Sequence, residues 1–109
     1  MGWQKIGAAW GRGMQAIFYG AWIARARDGG FVAELPDFPE ITAIALSPQR
    51  AAMLASIRLS AHIAALRQRG AALPTATGTS ELLDGCIKRR AVARFLEVRE
   101  PTATMDRGR

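Results

Sequence analysis

A few acids, one histidine and one cysteine are the side chains of this sequence most able to do chemistry. Asp28, Glu34 and Asp37 are close along the chain, and carboxylates can hold the two metal ions of phosphodiester cleavage when several strands bring them within bridging distance. Two of these acids fall in predicted turns and one within a predicted strand, which is too scattered for such a site. We therefore expect no catalytic residues, no metal ligands and no cofactor in this chain.

His62 and Cys86 do not stand in a sequence pattern that would complete a site. A metal site needs more ligands than one histidine, and a general base needs a nucleophile or an orienting acid nearby. We predict that His62 is a solvated surface residue of a helix and that Cys86 is a plain free thiol. A single cysteine cannot form an internal disulfide, which is typical of a reducing compartment, and we expect the cytoplasm.

Charge is unevenly distributed along the chain. Fifteen Lys and Arg against nine Asp and Glu give a formal net charge of +6, which favours acidic partners, nucleic acid among them. The segment 28–49 nevertheless contains four acids and no Lys or Arg, whereas basic residues crowd the C-terminal quarter. If the chain binds nucleic acid, the candidate residues are Lys88, Arg89, Arg90 and Arg94.

The first half of the chain predicts three strands. Residues 15–24 are rich in β-branched and aromatic residues, and residues 31–35 resume with apolar residues at alternate places. Between them, residues 27–30 predict a hairpin turn with positive φ at the second glycine. The prolines within residues 35–39 cannot donate to a ladder, so we expect the chain to leave the sheet there. A short third strand is predicted over residues 41–46.

Ser47-Pro48 predicts the start of one long helix. A hydroxyl cap satisfies an orphan amide, and proline at the first helical position loses only a donor that had no partner. Gly70 suits a left-handed C-terminal cap, with Pro74 beyond it as a stop. Residues 75–85 are rich in Thr, Gly and Ser and predict a loop, and residues 91–98 predict a last strand.

This order, β-β-β-α-β, predicts a small α+β domain. We expect a three- to four-stranded, mainly antiparallel sheet with one long helix packed on one face. The length suits a single domain, which we place at residues 14–99, after an N-terminal appendage (1–13) and before a flexible basic tail (100–109). No stretch reaches the roughly 18 to 20 apolar residues of a membrane-spanning helix, so we expect no membrane association.

The stretch GGFVAELPDFPE, followed by a Ser-capped helix and then G-x-x-L-P, resembles the HicB-type antitoxin domain. That family has a Gly-aromatic-Val-Ala strand, a Pro-Asp-aliphatic/aromatic-Pro turn and a short strand. A Thr or Ser then opens an Ala-rich helix, after which come a glycine and an aliphatic-Pro pair. The resemblance covers about residues 15–98. The matching elements are Gly30-Phe31-Val32-Ala33, Pro36-Asp37-Phe38-Pro39, Ser47, Ala51 to Leu66, Gly70 and Leu73-Pro74.

The resemblance implies a partial ribonuclease H-like fold and a non-catalytic role as a type II toxin–antitoxin antitoxin. Such a protein would neutralise a HicA-type RNA-cleaving toxin, and an acidic stretch could meet its basic RNA-binding surface through complementary charge. Two alternatives are a nucleic-acid-binding accessory domain that uses the basic segment 88–99 and a self-associating scaffold that has lost the antitoxin activity. The partner-binding residues that we predict are Glu34, Asp37, Phe38 and Glu40.

The predicted helix has two apolar stripes. At about 100° per residue, the stripe that suits packing on the sheet comprises Ala52, Ala55, Leu59, Ile63 and Leu66. A helix on a single sheet needs only one apolar face, and soluble monomers usually avoid an exposed apolar patch. We therefore predict that the second stripe forms a homodimer or partner interface, with the residues Met53, Leu54, Ile57, Ala61 and Ala64.

Overall fold

The computed structural model describes the backbone of residues 15–100 and the side chains of residues 16–99. Within this part, four strands form one antiparallel sheet in the order β3-β2-β1-β4, with two helices packed on it. The α+β class is thus confirmed, while the predicted appendage and most of the predicted tail lie outside the described residues. The elements are β1 (Gln15–Arg25), β2 (Phe31–Leu35), β3 (Phe38–Ala45), α1 (Pro48–Gln68), α2 (Thr79–Arg89) and β4 (Ala91–Glu100).

The β1–β2 hairpin forms as predicted, but a different glycine adopts the left-handed backbone. Gly29 has φ of +96°, whereas we expected the positive φ at Gly30. Asp28 Oδ1 accepts a hydrogen bond from the Gly30 amide at 3.3 Å, which closes the turn locally. Gly30 is constrained in another way, because a Cβ there would lie 3.0 Å from the carbonyl oxygen of Ala45. The turn therefore needs both glycines for different reasons.

The β2–β3 connection is a two-residue turn, Pro36-Asp37, between the paired residues Leu35 and Phe38. The expectation that the chain leaves the sheet at the prolines and returns at residue 41 is wrong, because β3 begins at Phe38 and includes Pro39. An edge strand tolerates proline, and the register with β2 shifts at this end of the strand. The missing amide of Pro39 thus leaves the rest of the β2–β3 ladder intact.

Both ends of α1 follow the sequence signals. The Ser47 hydroxyl oxygen accepts a hydrogen bond from the Arg50 amide at 3.1 Å, and Gly70 has φ of +70° just beyond the last turn. The stripe predicted to pack on the sheet does so, with Leu66 partly buried at its end. The buried residues of α1 are Ala51, Ala52, Ala55, Leu59 and Ile63.

A second helix, α2, occupies a region that we expected to be largely a loop. Only part of residues 75–85 is irregular, and α2 lies on the face of the sheet opposite α1. Leu82 contacts the backbone of Gly20, where a Cβ would come within 2.6 Å of it, and Gly85 lies against the Trp22 ring. The sheet therefore carries a helix on each face, the long α1 on one side and the short α2 on the other.

Two hydrogen bonds from β1 hold the connection between the helices and the first half of α2. The Tyr19 hydroxyl donates to the carbonyl oxygen of Pro74 at 2.7 Å on the α1 side. On the opposite face, Trp22 Nε1 donates to the carbonyl oxygen of Leu82 at 2.8 Å. Side chains along a strand alternate between the two faces of the sheet, so Tyr19 and Trp22, three residues apart, point to opposite faces. The strand β1 therefore anchors the chain on both sides of the sheet.

The main core lies between α1 and the inner face of the sheet. Phe38 belongs to this core, and its ring packs edge-on against the Tyr19 ring at 4.8 Å between centroids.

Neither α1 nor α2 is long and apolar enough to cross a bilayer. The largest fully buried side chains of the described residues are Phe38, Leu35, Leu59, Ile63, Leu82 and Val98.

Candidate protein-binding surfaces

The residues predicted to bind a partner do not share one surface. Phe38 is only 2% exposed, so its assignment as a contact residue is wrong: the turn before it directs the ring into the core. Glu34 lies on the α2 face of the sheet, opposite Trp22 in the ladder, and its carboxylate is 3.8 Å from Arg89 Nε. Glu40 lies on β3 beside α1. The side chains of Glu34 and Glu40 are both about half exposed.

Asp37 is occupied by an internal contact. Its Oδ2 accepts a hydrogen bond from the Thr77 amide at 3.0 Å, and its Oδ1 accepts one from the Thr77 hydroxyl at 2.7 Å. These bonds join the β2–β3 turn to the segment that leads into α2, forty residues further along the chain. Asp37 is thus a structural anchor in this fold, because each of its carboxylate oxygens already accepts a hydrogen bond from Thr77.

A groove of about 450 Å³ opens between the edge strand β3 and the helix α1. The Arg58 guanidinium crosses it and donates a hydrogen bond to the carbonyl oxygen of Thr42. Arg58 and His62 are four residues apart, about one helical turn, so they project from the same side of α1. The residues that line the groove are Glu40, Ile41, Thr42, Arg58, Ala61 and His62.

His62 is a structural residue of this groove and not the solvated side chain that we predicted. Its Nε2 donates a hydrogen bond to Glu40 Oε2 at 2.7 Å, and its ring packs edge-on against Phe38 at 5.5 Å between centroids. Its spacing of four residues from Arg58 places both on the side of α1 that faces β3. Sequence reasoning missed the pair because Glu40 lies on a strand whose position next to α1 only the fold supplies.

No family model and no curated protein matches this chain. Solved structures do share its fold. The N-terminal domain of the Burkholderia pseudomallei antitoxin HicB superposes with a TM-score of 0.65 at 15% identity, over 73% of this chain and 95% of that one. The chain has a HicB-like fold. A chain from the HicA3 and HicB3 toxin–antitoxin complex superposes with a TM-score of 0.59 at 20% identity, over 78% of this chain and 100% of that one.

The second stripe of α1 is exposed in this HicB-like fold. Met53 and Ile57 are both more than half exposed, and Ala61 and Ala64 are also on the surface, while Leu54 is partly buried against the core. That a second copy or another protein binds this stripe stays a prediction. Met53 is about 180° around the helix from His62 and faces away from the β3 groove, whereas Ala61 also lines that groove.

The basic residues of the C-terminal quarter lie on different elements. Lys88 and Arg89 end α2, and Arg90 follows it with φ of +53°. Arg89 is already engaged, because its guanidinium lies 3.8 Å from the centroid of the Trp22 ring, at a distance typical of a cation–π contact. Arg94 pairs with Ala21 in the ladder, which places it on the α1 face of the sheet. The four residues are therefore split between two faces.

The groups with catalytic potential remain apart in space. No three His, Cys, Asp or Glu side chains of the described residues come together in a group that could hold a metal ion. Cys86 is a free thiol, as predicted, and it is buried between α2 and the sheet.

Proposed function

We propose that this chain is a non-catalytic antitoxin domain that binds a small RNA-cleaving toxin of the HicA class and neutralises it in the cytoplasm. The fold likeness supports the domain class, because the chain covers nearly all of an antitoxin HicB domain and of a chain from a HicA3–HicB3 complex. The surface along β3 supports the kind of partner.

The observation that carries this proposal is the charge of the segment 28–49. It contains four acids and no Lys or Arg in a chain whose formal net charge is +6. In the fold this segment supplies β2 and the edge strand β3, with Glu40 about half exposed at the groove. A protein that cleaves RNA must present cations to phosphates, and such a surface is complementary to the exposed Glu40 carboxylate at this edge.

Co-expression with a small RNA-cleaving protein of the HicA class, taken from a gene that adjoins this one, tests the proposal. We expect the two proteins to copurify and the growth defect caused by the small protein alone to be relieved. The association rate should fall as ionic strength rises, because long-range attraction between unlike charges is screened by salt. Absence of both a complex and growth relief would contradict the proposal.

Glu40 is the sharpest single probe of the proposed contact. We expect Glu40→Lys to weaken toxin binding by at least about tenfold, equal to about 1.4 kcal/mol, because it puts a like charge against a basic surface. Glu40→Gln keeps an acceptor for His62 Nε2 and separates the loss of charge from the loss of the hydrogen bond. The affinity is measured by calorimetry on folded variants.

Asp84→Lys is the matched control for Glu40→Lys. Asp84 is an exposed acid on α2, on the opposite face of the sheet from α1, and the change in net charge is the same. We expect its affinity for the toxin to stay within about threefold of the unmodified protein, as is usual for a charge at the rim or outside an interface. Equal losses for the two variants would assign the effect to net charge and contradict a contact at β3.

Nucleic acid is the second candidate partner, favoured by Lys88 in the last turn of α2 and Arg90 just after it, both of which are exposed. Phosphate contacts release counterions, so any affinity should fall steeply as the salt concentration rises. Fluorescence anisotropy with a labelled oligonucleotide measures this dependence. Lack of binding even at low salt would eliminate this candidate and leave the protein partner.

A further inference from the structure

Three charged or titratable side chains meet in the β3–α1 groove. Glu40 comes from β3, and Arg58 and His62 come from α1. His62 Nε2 lies 2.7 Å from Glu40 Oε2, and the Arg58 guanidinium donates to the carbonyl oxygen of Thr42. The His62 side chain is 33% exposed and that of Glu40 53% exposed. The pair is therefore open both to a partner protein and to protons from the solvent.

The net charge of the groove depends on whether His62 carries a proton. Glu40 and Arg58 supply one negative and one positive charge, which cancel while the imidazole is neutral. Histidine is the side chain that changes its charge between about pH 5 and pH 8, whereas carboxylates and guanidinium groups stay ionised over that range. A proton on His62 therefore leaves the groove with a net positive charge.

The charged groups around His62 come from β3, the β2–β3 turn and α1. On α1, Arg58 lies one turn before His62, and Arg69 lies about two turns after it on the same side of the helix. Asp37, in the β2–β3 turn, directs both of its carboxylate oxygens to the segment before α2. Glu40 of β3 is the acid in contact with the imidazole. It is therefore the carboxylate that a proton on His62 neutralises.

We propose that protonation of His62 regulates toxin binding at this groove, so that the complex is tighter at neutral than at mildly acidic pH. The inference rests on the proposed function, since it takes the partner to be a basic RNA-cleaving protein. With neutral His62, Glu40 accepts a hydrogen bond and keeps its negative charge for a cation of the partner. With charged His62, Glu40 is held in an internal ion pair, and the added positive charge repels the partner.

Linkage fixes the direction of the effect, and charge counting gives its size. A basic partner binds the form with neutral His62 more tightly, so the bound partner must oppose protonation by the same factor. Protonation changes the charge of the groove by one unit, whereas Glu40→Lys changes it by two and should weaken binding by at least about tenfold. Half of that free energy corresponds to about threefold in the dissociation constant.

Calorimetric titration of the full chain with the toxin, at about pH 7.5 and about pH 5.5, tests the proposal. We expect the dissociation constant to be at least about threefold higher at the lower pH. His62→Gln is the matched variant, because its amide can still donate to Glu40 but does not change its charge. Titrating groups of the toxin affect both proteins equally, so the ratio of the two affinities at each pH isolates the contribution of His62.

The chain contains a single histidine, so NMR of its ring protons reports the protonation of His62 directly. The ring signals are followed against pH in the free chain and in the complex with unlabelled toxin. We expect them to change at a lower pH in the complex, because a bound basic partner disfavours the proton. A change at the same pH in both states, or at a higher pH in the complex, would overturn the proposal.

Three calorimetric results would contradict the regulation by His62, and only one of them also contradicts the antitoxin role. Binding that is equally tight at both pH values overturns the regulation alone. So does a loss of affinity at the lower pH that His62→Gln shares in full, because the titrating group then lies elsewhere. A chain that binds no such toxin at either pH fails as an antitoxin domain, and the regulation fails with it. A loss that His62→Gln abolishes supports the proposal.

Discussion

At the scale of single residues, the fold uses polar side chains for contacts that span large sequence distances. Asp37 was predictable as a turn residue from its two flanking prolines, but its hydrogen bonds to Thr77 were not, since nothing local in the sequence connects the two positions. The contact between Glu40 and His62 was equally unpredictable, because the two residues are far apart in the sequence. Turn chemistry is local and can be read from residue types, whereas the partner of a side chain depends on the finished topology.

Asp37→Ala should destabilise the protein through its internal contact. It removes both acceptors from Thr77 and leaves a partly buried amide and hydroxyl without their partner, which costs about 1–3 kcal/mol of unfolding free energy. Urea denaturation measures the loss. Asp84→Ala, at an exposed position of α2, should stay within about 0.5 kcal/mol of the unmodified protein. Equal stability of the two variants would show that the bonds to Thr77 contribute nothing.

At the scale of elements, capping residues and apolar periodicity predicted the long helix correctly, whereas composition alone failed to predict the short one. Ser47 and Gly70 marked the ends of α1 correctly because caps satisfy the free backbone groups of a helix directly. The helix α2 was missed because it opens with Thr79-Ser80 and contains Gly85, residue types typical of loops. What stabilises α2 is tertiary: Leu82 and Cys86 are buried against the sheet.

Gly85→Val should displace α2 from the sheet. A Cβ at Gly85 would lie 2.2 Å from the Trp22 ring, and such an overlap in a packed contact costs about 1–3 kcal/mol. We expect a lower melting temperature together with faster modification of Cys86 by a thiol reagent, since the burial of that thiol depends on α2. Gly78→Ala is the control, because nothing lies within 4 Å of a Cβ there. Unchanged thiol reactivity in Gly85→Val would contradict the close packing.

At the scale of the whole molecule, one sheet presents two unlike edges. The β3 edge, with the exposed Glu40 at its groove, suits a basic protein, whereas β4 is regular along its whole pairing with β1. The sequence resemblance predicted the fold, because the glycines and prolines of GGFVAELPDFPE report backbone geometry. It could not predict which acids remain accessible, since that depends on internal partners such as Thr77 and on the core position of Phe38.

An RNA-cleavage titration tests the central claim, that this chain is an antitoxin domain, most directly. A small RNA-cleaving protein of the HicA class is incubated with labelled RNA while this chain is added in increasing amounts. We predict that cleavage falls in proportion to the added chain and stops at stoichiometric amounts, with Asp84→Lys as effective as the unmodified protein and Glu40→Lys weaker. Undiminished RNA cleavage in the presence of a large excess of folded chain would contradict the account.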